Sequence, residues 1–240
     1  MIGTWLNAGG IALGALAGAL RTKPVSVATQ NYLKVLLGAF AFFYGLRLVW
    51  IGLNGRFLHV LAQIGVVLLA LVLGRIAGRL LGLQKMSNRL GRFARDRIAH
   101  RAAGGATSLS DGFEVCSSLF CAAPLGLIGA VADGLTGYFY PLAVKAVMDG
   151  FATLSFVSMF GWGVGLSAIP VLALQGTLTL FCARFLQPWL LERHLVDPVN
   201  ATAGLLVVFI SLVILEVKKV EITDYLPSLV LAPLLAAWLL

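Results

Sequence analysis

The chain has 240 residues, of which 60% are hydrophobic and only 12% charged, with a formal net charge of +8. Its mean hydropathy is +0.95. A soluble domain of this length needs far more charged surface, so the composition specifies an all-α polytopic membrane protein and leaves no room for a separate soluble catalytic domain.

A hydrocarbon core of about 30 Å takes roughly 20 apolar residues per helix. That measure places eight spans, near 2–20, 32–53, 58–82, 113–132, 139–160, 164–187, 198–217 and 225–240. The first is read as an uncleaved span. Residues Met1 to Thr4 carry no basic group, and Arg21 and Lys23 follow the apolar run, the reverse of a secretory signal. Gly10, Gly14 and Gly18 in the first span, and Gly74, Gly78 and Gly82 in the third, form ridges of small residues that let helix backbones approach. Pro124 and Pro141 interrupt the fourth and fifth spans, which can therefore be broken or re-entrant. Cys116, Cys121 and Cys182 lie within apolar segments and show neither disulfide nor metal spacing.

Basic residues orient the bundle. Arg21 and Lys23, the run Lys85, Arg89, Arg92, Arg95, Arg97 and Arg101, and Lys218 with Lys219 all fall in odd-numbered connections. Those connections are expected on the cytoplasmic side, with both termini outside. Arg184 and Arg193 run against this pattern. Residues 83–102 form one amphipathic stretch, with Leu83, Met86, Leu90, Phe93 and Ile98 at helical spacing between arginines. It is expected to lie flat at the surface among anionic lipid headgroups. No nucleic-acid-binding fold accompanies its charge. The Gly-Gly-Ala-Thr-Ser run after it reads as a hinge.

The chain also matches itself. At an offset of 111, Lys34, Phe40 and Ala41 fall on Lys145, Phe151 and Ala152, and Val60-Leu61-Ala62 falls on Val171-Leu172-Ala173. The two stretches share nine identities in 36 positions. The period encloses three spans, and an odd number inverts the second copy relative to the first. The organisation expected is one membrane domain, 1–240. In it, 1–82 is the first three-helix repeat, 83–110 a basic amphipathic helix and linker, 111–190 the second, inverted repeat, and 191–240 two extra helices. Chance similarity between apolar helices is the competing explanation.

Polarity concentrates in the second copy. Lys145 and Asp149 stand four residues apart within an apolar run, so on a helix they share a face. Charge inside a bilayer costs a few kcal/mol or more unless paired or wetted. The pair either staples helices together or forms a site for an ion or solute. Asn7, Gln175 and Thr177 are the neutral candidates to join it. Asp133 is a further candidate, with an exposed turn as the alternative. Trp5, Trp50, Trp162, Trp189 and Trp238 fit an interfacial belt. Metalloprotease, phosphate-loop, serine-elbow and Asp-rich motifs are absent. No enzymatic activity, cofactor or metal is expected.

Five segments carry a family resemblance: TWLNAGGIALGALAG, LFCAAPLGLIGAVADGL, KAVMDGFA, SAIPVLALQGTLTL and LPSLVLAPLL. Together they resemble the uncharacterised bacterial YdfK/YqgA membrane-protein family over almost the whole chain. The resemblance implies a multi-pass protein of the bacterial inner membrane. The chain departs from that family's pattern at Val213 and Asp224, where Asn is expected.

The function expected from these residues is secondary transport or export of a small polar or ionic solute. Lys145 and Asp149 would be the switchable pair, and Asn7, Gln175 and Thr177 the neutral ligands. A channel lined by the same residues, and a structural or regulatory membrane protein, are the alternatives. The partners expected are lipid, a small solute or ion, and further copies of the chain; nucleic acid is not among them.

Overall fold

The computed structural model describes residues 1–20, 25–102 and 109–240. Arg21, Lys23 and the Gly-Gly-Ala-Thr-Ser run lie outside the described residues. Inside lipid a backbone must satisfy its own hydrogen bonds, and the described residues form helices and no strand. These are α1 Ile2–Leu20, α2 Val27–Ile51, α3 Phe57–Leu81, α4 Leu83–Ala102, α5 Leu109–Ala122, α6 Pro124–Thr136, α7 Tyr140–Phe160, α8 Ala168–Phe181, α9 Gln187–Glu192, α10 Val196–Ile214 and α11 Ser228–Leu239. Short 3-10 turns at Trp162–Ser167 and Ile222–Tyr225 lead into α8 and α11. A π-helical turn, Cys182–Leu186, joins α8 to α9. Pro188 follows it closely and lacks the N–H that the Arg184 carbonyl would otherwise accept.

Among the described residues, seven runs are long and apolar enough to cross a membrane. α5 and α6, bent by 58° at Ala123, make an eighth as one broken span. The break follows from Pro124, which sits at the first helical position of α6 and cannot continue α5. The pair still traverses the bundle. Arg97 reaches Asp111 at one end (2.6 Å), and the Gly3 N–H donates to Asp133 at the other (3.0 Å).

The connections sort into two ends. One end gathers Lys34 with Glu216, Arg79 with Glu221, Gln84 with Asp224, and Arg101 with the Met159 carbonyl. This basic end also holds the cationic face of α4 and Lys218 with Lys219. The opposite end gathers Gly3 with Asp133, Gln187 with the Leu135 carbonyl, and residues 54–59 with 193–198 and the C-terminal turn. With α5 and α6 counted as one span the described residues give eight crossings, the even number expected from the basic clusters; without that pair they give seven.

Glycine contacts set the main seams. A Cβ placed on Gly10 would stand 2.5 Å from the Ala146 carbonyl oxygen, and one on Gly14 would overlap the Gly150 carbonyl. α1 and α7 thus run parallel with backbones touching. α2 and α10 run antiparallel, with Gly45 against Gly204 and Gly52 against Ala201. Gly74 and Gly78 seat α3 against Ser228 and Asp224. Gly82 does different work from the expected ridge. It has φ 67°, caps α3, and has no neighbour within 4 Å of where a Cβ would be.

α4 is anchored more firmly than a helix floating among headgroups. Ala94 is fully buried against the cluster of Val115, Phe120 and Phe160, and Arg97 and Arg101 fasten it to α5 and α7. Met86 and Leu90 stay exposed, as an interfacial helix requires.

Candidate functional site

α7 can hold both charges on one face because Pro141 sits in its first turn and its 21 residues, Tyr140–Phe160, run without a break. Lys145 Nζ donates to Asp149 Oδ2 at 2.6 Å across one helical turn. Lys145 is 2% exposed and Asp149 7%. Neither faces lipid. The Lys145 ammonium lies 5.7 Å from the centre of the Phe120 ring, close enough for the ring face to attract it. Its stem runs past Gly126, where a Cβ would come within 2.9 Å of Lys145 Cε and 2.8 Å of Gln175 Nε2.

Phe120 is near the end of α5, and Gly126 is in the first turn of α6. The break at Ala123 therefore faces the ion pair. A helix C-terminus concentrates unsatisfied carbonyls and an N-terminus unsatisfied amides, with roughly half an elementary charge at each. Both kinds of helix end stand beside a cation and an anion that can respond to them.

Two amides complete the site. Asn7 Nδ2 donates to Gln175 Oε1 at 3.1 Å, and the Asn7 side chain also bears on the Asp149 carboxylate. Asn7 is fully buried and Gln175 is 1% exposed. Asn7 Oδ1 and Gln175 Nε2 nevertheless have no hydrogen-bond partner among the described residues. An unsatisfied buried amide group costs about 1–3 kcal/mol. One acceptor and one donor are thus left open beside a buried ion pair.

From this centre a row of buried polar groups runs along α1, α6 and α8 to the end opposite the basic one. The Thr4 and Thr179 hydroxyls meet at 3.2 Å, and Thr179 also donates to the Ala130 carbonyl. Beyond them Asp133 accepts the Gly3 N–H and the Met1 ammonium, the latter at 3.2 Å. Asp133 is buried in the last turn of α6 rather than lying in an exposed turn. On the other side of the pair, Thr153 donates to the Asp149 carbonyl.

The structure brings together Asn7, Lys145, Asp149 and Gln175, and sets Asp133 at the far end of the same row. It separates Thr177, which is exposed on the outer face of α8. Two residues of helix turn a side chain through about 200°, so Gln175 and Thr177 cannot share a face, whereas Gln175 and Thr179 do. That spacing was readable. Phe120, Gly126 and Thr4 were not marked by any local signal beyond Pro124. Among the described residues no group of three or more His, Cys, Asp or Glu is placed to hold a metal ion, and the three cysteines are free thiols.

The comparisons with known proteins give sequence relatives and a family, without a solved fold. The chain is 29% identical over 246 residues to the uncharacterized protein YqgA of Escherichia coli (strain K12), covering 99% of this chain and 97% of that protein. It is 25% identical over 236 residues to the uncharacterized membrane protein YdfK of Bacillus subtilis (strain 168), covering 97% and 94%. No solved structure matches the chain significantly. The model of a family described as "Protein of unknown function (DUF554)" matches residues 2–237, so the chain belongs to that family.

Proposed function

We propose that the chain is a secondary transporter or exporter that moves a small polar or ionic solute across the bacterial inner membrane, without covalent chemistry. The observation that carries this reading is the buried Lys145–Asp149 pair, facing a helix break and flanked by two unpartnered amide atoms. Discontinuous helices at the middle of a bundle are how many transporters present charge-complementary backbone to a solute. The row from Asp133 through Thr4 and Thr179 to Asn7 and Gln175 supports a route to one end. α2 runs antiparallel to α7, with Tyr44 stacked on Tyr140 and Leu37 near Met148; this is the direction an inverted repeat requires. The basic end is assigned to the cytoplasm.

The coupling follows from charge balance. With Asp149 ionised, the lysine is occupied. A proton arriving at Asp149 leaves the Lys145 ammonium without a counter-charge, and an uncompensated buried charge is strongly unfavourable. A solute offering an anionic or strongly dipolar group restores the balance. Asn7 Oδ1 and Gln175 Nε2 supply one further acceptor and one donor. Proton and solute then bind as a set.

The second reading is a structural staple, favoured by the 2.6 Å contact in which each charge already satisfies the other. Proteoliposomes separate the two. Flux of a panel of ions and metabolites would be measured with and without a pH gradient, in the wild type and in Lys145→Met/Asp149→Leu. Saturable flux driven by the gradient and abolished in a well-folded double variant supports transport. Non-saturating current would indicate a channel. Equal flux in both proteins would end the role assigned to the pair.

A further inference from the structure

A second polar feature lies at the basic end, away from the α7 site. The connection that follows α10 folds over the end of α3 and the start of α4 and lines a half-open cavity of about 570 Å³. Its floor is fixed by Gln84 at the start of α4. The Gln84 backbone N–H donates to Asp224 Oδ1 (2.9 Å), its side-chain oxygen accepts the Thr223 N–H (3.2 Å), and its amide donates to Asn88 (3.0 Å). The Asp224 backbone meanwhile abuts Gly78. The Asp224 carboxylate is thereby committed to the corner between α3 and α4.

The cations around this cavity are not balanced. Arg75 lies 5.5 Å from the centre of the Tyr225 ring, and its Nε is buried without a hydrogen-bond partner. Its nearest carboxylate, Glu221, is 4.0 Å away and is already held by Arg79 at 3.2 Å. Lys218 and Lys219 line the same cavity and form no ion pair among the described residues. Three cations therefore converge on a space whose single lining carboxylate is shared with a fourth. Phe209 and Leu212 supply an apolar wall.

We infer that this cavity is a binding site for a phosphate group, with the headgroup of an anionic phospholipid as the ligand that fits both walls. A guanidinium presents a donor fork that matches phosphate oxygens, and two ammonium groups at the rim add point charge. Arg75 stands six residues before the end of α3, about 9 Å inside it along the helix axis. A ligand reaching Arg75 past Phe209 and Leu212 has an apolar part beside a phosphate. Basic pockets between spans on this kind of face hold lipid headgroups. Free phosphate shares the recognition chemistry but leaves the apolar wall unused. The site is independent of the transport reading, and so is its test.

The experiment uses the purified full chain in detergent. Dioleoyl phosphatidylglycerol, dioleoyl phosphatidylcholine and inorganic phosphate are each titrated, with binding read by native mass spectrometry and by the thermal unfolding midpoint. Lys218→Ser/Lys219→Ser changes two exposed side chains. It should weaken phosphatidylglycerol binding roughly twenty-five-fold, at about fivefold per lysine. Arg75→Gln should weaken it at least as much; should that variant misfold, the double lysine variant decides. Arg92→Ser/Arg95→Ser removes the same charge from the outer face of α4 and should change affinity less than about threefold. Pocket-dependent binding of phosphatidylglycerol supports the headgroup assignment. Pocket-dependent binding of inorganic phosphate without the lipid supports the site and reassigns its ligand. The inference is overturned if phosphatidylglycerol binds no better than phosphatidylcholine while phosphate does not bind. It is also overturned if the α4 control loses affinity as far as the pocket variants do.

Discussion

Gly126 gives way to Lys145: a Cβ at position 126 would come within 2.9 Å of Lys145 Cε, so the lysine stem occupies the space a side chain would take. The atoms it would meet, on Lys145 and Gln175, are the far ends of flexible side chains. Gly126→Ala should therefore fold, at a cost of about 1 kcal/mol, the low end of overpacking, while displacing both site residues. Gly14 is the contrast, since a Cβ there would overlap a backbone carbonyl of α7 that cannot swing aside. Gly14→Ala should destabilise by about 3 kcal/mol or more. Thermal unfolding in detergent measures both, and equal losses would contradict the distinction.

Removing one member of the Lys145–Asp149 pair strands the other in a buried site. Lys145→Met and Asp149→Leu should each cost about 3–5 kcal/mol, and the double variant should return close to wild type. Denaturant titration of the three variants gives the coupling energy directly. Single losses that simply add would show that the charges do not depend on each other.

Thr179 and Thr177 lie two residues apart on opposite faces of α8. Thr179→Val loses the bonds to Thr4 and Ala130 and should destabilise by about 1 kcal/mol. Thr177→Val changes an exposed side chain and should fall within about 0.5 kcal/mol of wild type. A larger effect at 177 than at 179 would mean that the face of α8 turned to the bundle has been misassigned.

At the basic end, the hydrogen bond from Lys34 holds the Glu216 carboxyl below its ordinary range. A carboxylate whose folded value is lowered stabilises the protein above its unfolded value of about 4.3, and that contribution is lost as pH falls through the lowered folded value. Glu216→Gln should therefore unfold slightly earlier than wild type at pH 7, with the gap closing as pH falls below about 4. Both groups are exposed, so the gap should also close in about 1 M salt, where screening is strong. A gap that widens on acidification would reverse the sign assigned to the pair.

The orientation can be read by cysteine labelling in intact cells. A cysteine at Ser87, on α4, should be protected from a membrane-impermeant reagent, and one added after Leu240 should react. The opposite pattern would invert the bundle, and matching results at both sites would refute the even number of spans.

Much of the architecture is a local property and was legible. Each span shows as a run of apolar residues because lipid imposes its thickness on every helix separately. Gly10, Gly14, Gly74 and Gly78 mark seams because small residues in lipid serve backbone contact. Pro124 announces a break because its ring and missing N–H are local facts.

The site was legible in part, and the division has one physical cause. Lys145 and Asp149 pair within a single helix, so their spacing alone places them on one face, and the structure bears this out at 2.6 Å. The choice between Thr177 and Thr179 is also a matter of helical spacing, though it needed Gln175 as the reference. Which groups surround the pair depends instead on contacts between elements far apart in the chain. Asn7 meets Gln175 across 168 residues and Thr4 meets Thr179 across 175. Periodicity carries no information about such distances. Local composition made Lys145 and Asp149 neighbours. Only the packing of α1, α6 and α8 around α7 decided that they face a helix break and two open amide atoms rather than lipid.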